Sequence, residues 1–128
     1  MSREIKFRAW DSRDEKVHPL KWIDNFDHHA AVVTDWTDDS VTWELRQLDE
    51  LEVMQYTGLK DKNGVEIYEG DVVQVLNDYR TERGEVVYRD CQFLRDGAKH
   101  ALASDMRIHE GHVIGNIYEN PELLERAS

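Results

Sequence analysis

The twenty residues MQYTGLKDKNGVEIYEGDVV, from Met54 to Val73, restrict the fold more than any other stretch of this chain. Asn63-Gly64 is the commonest two-residue hairpin turn, because both residue types tolerate positive φ and the turn's twist matches that of the strands it joins. The flanks, LEVMQYT and VEIYEGDVVQVL, are strand-like: Val65 and Ile67 alternate, as do Val73 and Val75. A second sharp bend is expected at Glu69-Gly70-Asp71, where glycine relieves the steric cost of an unusual backbone angle. Two strands, two corners and one re-entering strand are the parts of a small barrel or a curled sheet.

The rest of the chain extends that reading. In EIKFRAW, Ile5, Phe7 and Ala9 alternate with Lys6, Arg8 and Trp10, which predicts a half-buried strand. DSRDEK reads as a turn before a second extended piece, VHPLKWI. AVVTDW and VTWELRQL are further strand candidates separated by TDDS. From Val41 to Met54 a helix competes with the strand, because Leu45, Leu48 and Leu51 recur every third residue; the strand is preferred. Gly84 in RTERG predicts another hairpin, leading into EVVYRDCQFL. MRIHEGHVIGNIY closes the sheet, and ENPELLERAS predicts a short terminal helix with Asn120 as N-cap, Pro121 in first position and Glu122 favoured by the dipole.

The fold class is therefore mainly β (α+β): a curved antiparallel sheet or small barrel-like C-terminal part, with a short C-terminal helix. A length of 128 residues fits one compact domain over 1–128. Within it, a β-rich lobe at 1–50 and a barrel-like lobe at 51–128 would share one core.

Charge limits the partners. Residues 1–21 carry a net +2, residues 22–53 a net −8 and residues 54–128 a net −5. Most of the chain would repel phosphate, which argues against nucleic acid as a partner. A small basic face of Arg3, Lys6, Arg8 and Arg13 is the exception. No apolar run approaches the ~18 residues of a membrane span, and the start MSREIKFRAW lacks a signal-peptide core. The single cysteine, Cys91, forms no internal disulfide and fits a reducing cytoplasm. In VVYRDCQFL it shares strand parity with Phe93 and reads as structural.

No chemical motif survives inspection. A calcium loop counted from Asp61 puts glycine at the fourth position and Val72 at the twelfth, where an EF-hand needs glycine sixth and glutamate twelfth. His28-His29 point to opposite faces of a strand, and His109 and His112 share a face only on a helix. His18 precedes a proline and His100 is isolated. No metal, cofactor or catalytic residue is assigned. Trp10, Trp22, Trp36 and Trp43 crowd the first third, and around Trp36 and Trp43 the interleaving residues are acidic. That pattern suits core packing or a protein-contact surface better than base stacking, with a plain solvated acidic flank as the preferred alternative to such a surface.

Three blocks, EIKFRAWD at 4–11, MQYTGLKDKNGVEIYEGDVV at 54–73 and VIGNIYENPELL at 113–124, resemble the YopX-type proteins, small proteins encoded by bacteriophages and prophages. The resemblance implies a mostly β fold with a barrel-like C-terminal part, a small helical element and a bacterial cytoplasmic setting. It brings no activity. Tyr56, Gly58, Asn63, Gly64, Tyr68, Gly70 and Asp71 carry over as fold determinants. The expectation is a non-enzymatic accessory protein acting through protein contacts, with Trp36, Asp38, Asp39 and Trp43 as the surface and self-association as an added route. The alternative is a nucleic-acid-associated factor in phage replication or regulation that uses the basic N-terminal face. A hydrolase built on Cys91 or a histidine pair stands behind both.

Overall fold

The structure, a computed structural model, describes residues 4–77, 80–98, 101–108 and 110–124. It is mostly antiparallel strand, as the alternation predicts, and it divides into two units: Lys6–Gln55, and the chain from Tyr56 onward together with Glu4 and Ile5.

The first unit contains β1 (Phe7–Asp11), β2 (Lys16–Asp24), β3 (His29–Trp36), β4 (Val41–Gln47), a 3₁₀ turn (Leu48–Glu50) and the start of β5 (Leu51–Lys60). Its strands lie in the order β4-β3-β2-β1-β5. A flat sheet would hold β4 and β5 roughly 19 Å apart, four strand spacings. The chain between Gln47 and Leu51 spans at most ~14 Å. The sheet must curl, and β2 shows how. Its residues Lys16 to Pro19 pair with β1, whereas Leu20 to Asp24 pair with β3. Pro19 has no N–H to offer, and Lys21 is the extra residue of a bulge between Leu20 and Trp22. No ladder joins β4 to β5 among the described residues, so the curl stops short of a barrel.

Strand prevails over helix at 41–47, and the every-third-residue leucines do not share a face. Leu45 is exposed on β4, Leu48 sits half-buried in the 3₁₀ turn, and Leu51 is buried at the start of β5. Ala9, Ala30, Val32 and Leu51 form this unit's core, with Leu20, Ile23 and Leu48 packed against them.

The second unit begins with the end of β5 and its hairpin partner β6 (Glu66–Tyr68). It continues through β7 (Asp71–Asn77), β8 (Arg80–Arg89), β9 (Gln92–Arg95), α1 (Leu102–Ile108) and β10 (His112–Asn116), ending in a 3₁₀ turn (Pro121–Leu124). Its four-stranded sheet has the order β10-β7-β8-β9 and is open at both edges, so the barrel expected of the C-terminal part is not formed. Ile67, Val73, Val75, Val86, Leu102 and Met106 make the core. The helix α1, which the sequence reading missed, sets Leu102 and Met106 one turn apart on that core.

Three further expectations need correction. Gly84 turns nothing: it sits buried inside the ten-residue strand β8. A Cβ there would lie 2.6 Å from Arg95 Cγ and 2.7 Å from the Asp96 carbonyl, so glycine is needed to let β9 approach. Cys91 is not in a strand. It is exposed, and with Asp90 it forms the two-residue turn between β8 and β9, with φ of 62° and 53° respectively. The terminal helix is, over the described residues, only the 3₁₀ turn Pro121–Leu124, with Leu123 lying over Gly115 of β10.

Candidate functional site

Within the cassette, Gly58, Gly64 and Gly70 all adopt positive φ, at 85°, 83° and 83°. Gly58 falls where the β5–β6 register shifts between Tyr56 and Lys60. The turn differs from the one expected. Gly64 N donates to Asp61 O at 3.0 Å, so Lys62 and Asn63 are the central residues and only Gly64 is left-handed. The unforeseen centre is Asp61. Its Oδ1 accepts from Asn63 N (2.8 Å) and Val65 N (2.9 Å), and its Oδ2 accepts from Val113 N at 2.9 Å. One buried carboxylate thus closes the turn and ties it to β10. Burial works to raise the Asp61 carboxyl, but those three N–H groups and nearby His112 outweigh it and hold it below the ordinary carboxylate range. Tyr56 and Tyr68 stack at 5.4 Å, and Asp71 Oδ2 accepts from Tyr68 N at 2.8 Å. These side chains knit backbone together.

A cavity of about 610 Å³ in the second unit is lined by Thr81, Glu82, Arg83, Arg95, Asp96 and Leu123, among others. Arg83 donates to Gln74 Oε1 at 2.9 Å, and the other ions are paired. Arg95 meets Asp105 at 2.7 Å and Glu82 at 3.3 Å, and Asp96 meets Arg89 at 3.2 Å. Two clusters of metal-ligating type occur in the first unit: Asp11, Asp14 and His18, and Asp24, Asp27 and His29. In the first, Asp11 is engaged by Arg46 Nε (2.8 Å) and by Arg13 N (2.9 Å). Burial would raise the Asp14 carboxyl, yet the hydrogen bond and field of His18, 2.6 Å away, leave it lowered. In the second, Asp24 Oδ1 accepts from Phe26 N and Asp27 N in a local turn. Of the other histidines, His28 is a left-handed turn residue (φ 57°) and His112 lies in β10, while His100 and His109 are outside the described residues.

Trp22, Trp43 and Leu45 share the face of the sheet that carries buried Ala31 and Val33, opposite Ala30 and Val32. Trp22 faces Ala31, Ala31 faces Leu45, and Val33 faces Trp43 across the ladders of β2, β3 and β4. Trp22 and Trp43 meet edge to face at 5.9 Å, and Lys21 Nζ lies 5.2 Å from the Trp43 ring. Trp43 is 39% exposed, Leu45 53% and Trp36, near the tip of the β3–β4 hairpin, 71%. Asp38 and Asp39 are exposed in that tip, beyond Trp36. The four residues expected to form a contact surface therefore lie along one hairpin, with Leu45 and Trp22 extending it. Of the basic face, Arg13 is paired with Glu50 at 2.8 Å, Lys6 and Arg8 are half-buried, and Arg3 lies outside the described residues.

The family model of the YopX protein matches residues 6–125, nearly the whole chain. This chain belongs to the YopX family. Among solved structures, this YopX-family chain is similar to protein EF1440 from Enterococcus faecalis, with 31% identity and a TM-score of 0.74 over 97% of this chain and 100% of that one. It also shares its fold with protein yopX from Bacillus subtilis, at 24% identity and a TM-score of 0.63 over 96% of this chain and 98% of that one. Among curated proteins none matches. No helix among the described residues of this family member is long and apolar enough to cross a membrane.

Proposed function

We propose that this YopX-family chain is a non-enzymatic phage or prophage accessory protein that works in the bacterial cytoplasm by binding another protein. The observation that carries the reading is the Trp22, Trp43 and Leu45 surface. On that face Ala31 and Val33 are buried in register with Trp22, Leu45 and Trp43, yet Trp43 and Leu45 still leave apolar surface exposed, at 39% and 53%. Aromatic side chains rimmed by polar groups are what contact surfaces concentrate. The pairing of Arg95 with Asp105 and Glu82 at the 610 Å³ cavity, and a cassette whose side chains bond to backbone, further support a non-catalytic role.

Immobilised chain and a Trp43→Ser, Leu45→Ser variant, incubated with bacterial lysate at low and moderate salt, test this. Proteins retained by the parent and lost from the variant are expected. Equal retention by both, or none above background, overturns the reading.

A further inference from the structure

Building on that reading, we infer that the partner docks as an extra β-strand on β4, and that the segment supplying it is extended and alternates basic with apolar residues. β4 spans seven residues and ends the order β4-β3-β2-β1-β5, so among the described residues one side of its backbone has no strand beside it. Five of the seven residues in β4 are exposed. An edge of this kind is a template for strand addition, in which main-chain hydrogen bonds give affinity and alternate side chains give selectivity.

The side chains then specify the segment. On the outer face Trp43 and Leu45 would flank the incoming strand, calling for apolar residues at every second position. On the other face lie Thr42, Glu44 and, paired with Thr42, Asp35, followed by Asp38 and Asp39 at the tip. Residues 22–53 hold nine acids and one base, Arg46, which is already held between Asp11 and Glu44. With Glu44 already met by Arg46, the acids facing the incoming segment are Asp35, Asp38 and Asp39, which call for basic residues toward the hairpin tip. Arg46 Nη1 donates to the Leu45 carbonyl at 3.0 Å, so pairing runs along Val41–Glu44.

The probe is an acetylated, amidated octapeptide of alternating lysine and valine, added to the ¹⁵N-labelled full chain. Expected are slowed hydrogen exchange and shifted amides at residues 41–44. Binding should weaken about tenfold, equivalent to ~1.4 kcal/mol, with a peptide N-methylated at alternate residues or with Asp38→Lys, Asp39→Lys protein. The methylated peptide keeps charge and composition and leaves the protein untouched, so its loss reports backbone pairing. Amide changes elsewhere, equal binding of the methylated peptide, no binding, or dimerisation through β4 without peptide would each overturn the inference. If lysate capture still depends on Trp43 and Leu45 when this probe fails, the contact face stands and strand addition alone is wrong.

Discussion

Arg46 Nε on β4 donates to Asp11 Oδ2 on β1 at 2.8 Å, although β3 and β2 lie between those two strands. In a flat sheet their backbones would stand roughly 14 Å apart, beyond what the two side chains can bridge with normal packing. The pair is therefore a measure of the curl, and both side chains are almost wholly buried, at 6% and 0% exposure. Glu44 adds a second carboxylate to the guanidinium at 2.6 Å.

Removing Arg46 should leave buried Asp11 without its counter-charge, whereas removing Asp11 leaves the guanidinium with Glu44. Arg46→Ala should cost about 3–5 kcal/mol in urea unfolding and Asp11→Ala less, whereas Arg46→Met combined with Asp11→Leu should recover most of the larger loss. A double variant as weak as Arg46→Ala would show that the ion pair is needed for more than neutralising itself.

That relationship also marks the limit of what the sequence conveys. The strands were legible because Ile5, Phe7 and Ala9, or Val73 and Val75, alternate locally. Arg46 with Asp11, 35 residues apart, leaves no local signal. Asp61 was noticed only as the first position of a failed calcium loop, because its Val113 bond joins elements 52 residues apart. The helix α1 had one sign, the four-residue step from Leu102 to Met106, too short to stand against strand neighbours. Gly84 was misread because a glycine serving close approach and a glycine serving a turn look alike in sequence. The β3–β4 hairpin was readable in part: Trp36, Asp38, Asp39 and Trp43 stood out by type, while Leu45 and Trp22 joined them only through register.

Asp61 should make the fold acid-sensitive. Its folded-state pKa lies below the unfolded value near 3.9, so its contribution is complete above that value and is lost as pH falls toward the folded pKa. Asp61→Asn should be less stable than the parent at pH 7, with the difference shrinking below about pH 4. Chemical denaturation at several pH values checks this; a constant difference across the acid range would contradict it.

Glycines 84 and 64 should respond unequally to alanine. At Gly84 the new methyl meets the Asp96 backbone oxygen, which cannot swing aside, and a loss of about 2–3 kcal/mol is expected. At Gly64 nothing lies within 4 Å, so only the left-handed φ of 83° resists, at about 1 kcal/mol. Thermal unfolding of both variants should rank them in that order.

The Asp90-Cys91 turn invites the opposite outcome. Both residues are left-handed, and a cysteine gains nothing from that conformation. Cys91→Gly should stabilise the chain by about 0.5–1 kcal/mol, read as a higher melting midpoint. A lowered midpoint would mean that the thiol makes a contact the turn depends on.

The most direct measurement of the functional account is site-specific photocrosslinking within a bacterial cytoplasm. A photoreactive phenylalanine analogue replaces Leu45 on the contact hairpin or, as a control, Tyr88 on β8, which is similarly exposed at 56%. The account predicts a discrete adduct with another protein from position 45, abolished by Trp43→Ser, and none from position 88. Adducts from 88 but not from 45, or adducts from 45 that persist with Trp43→Ser, would contradict it.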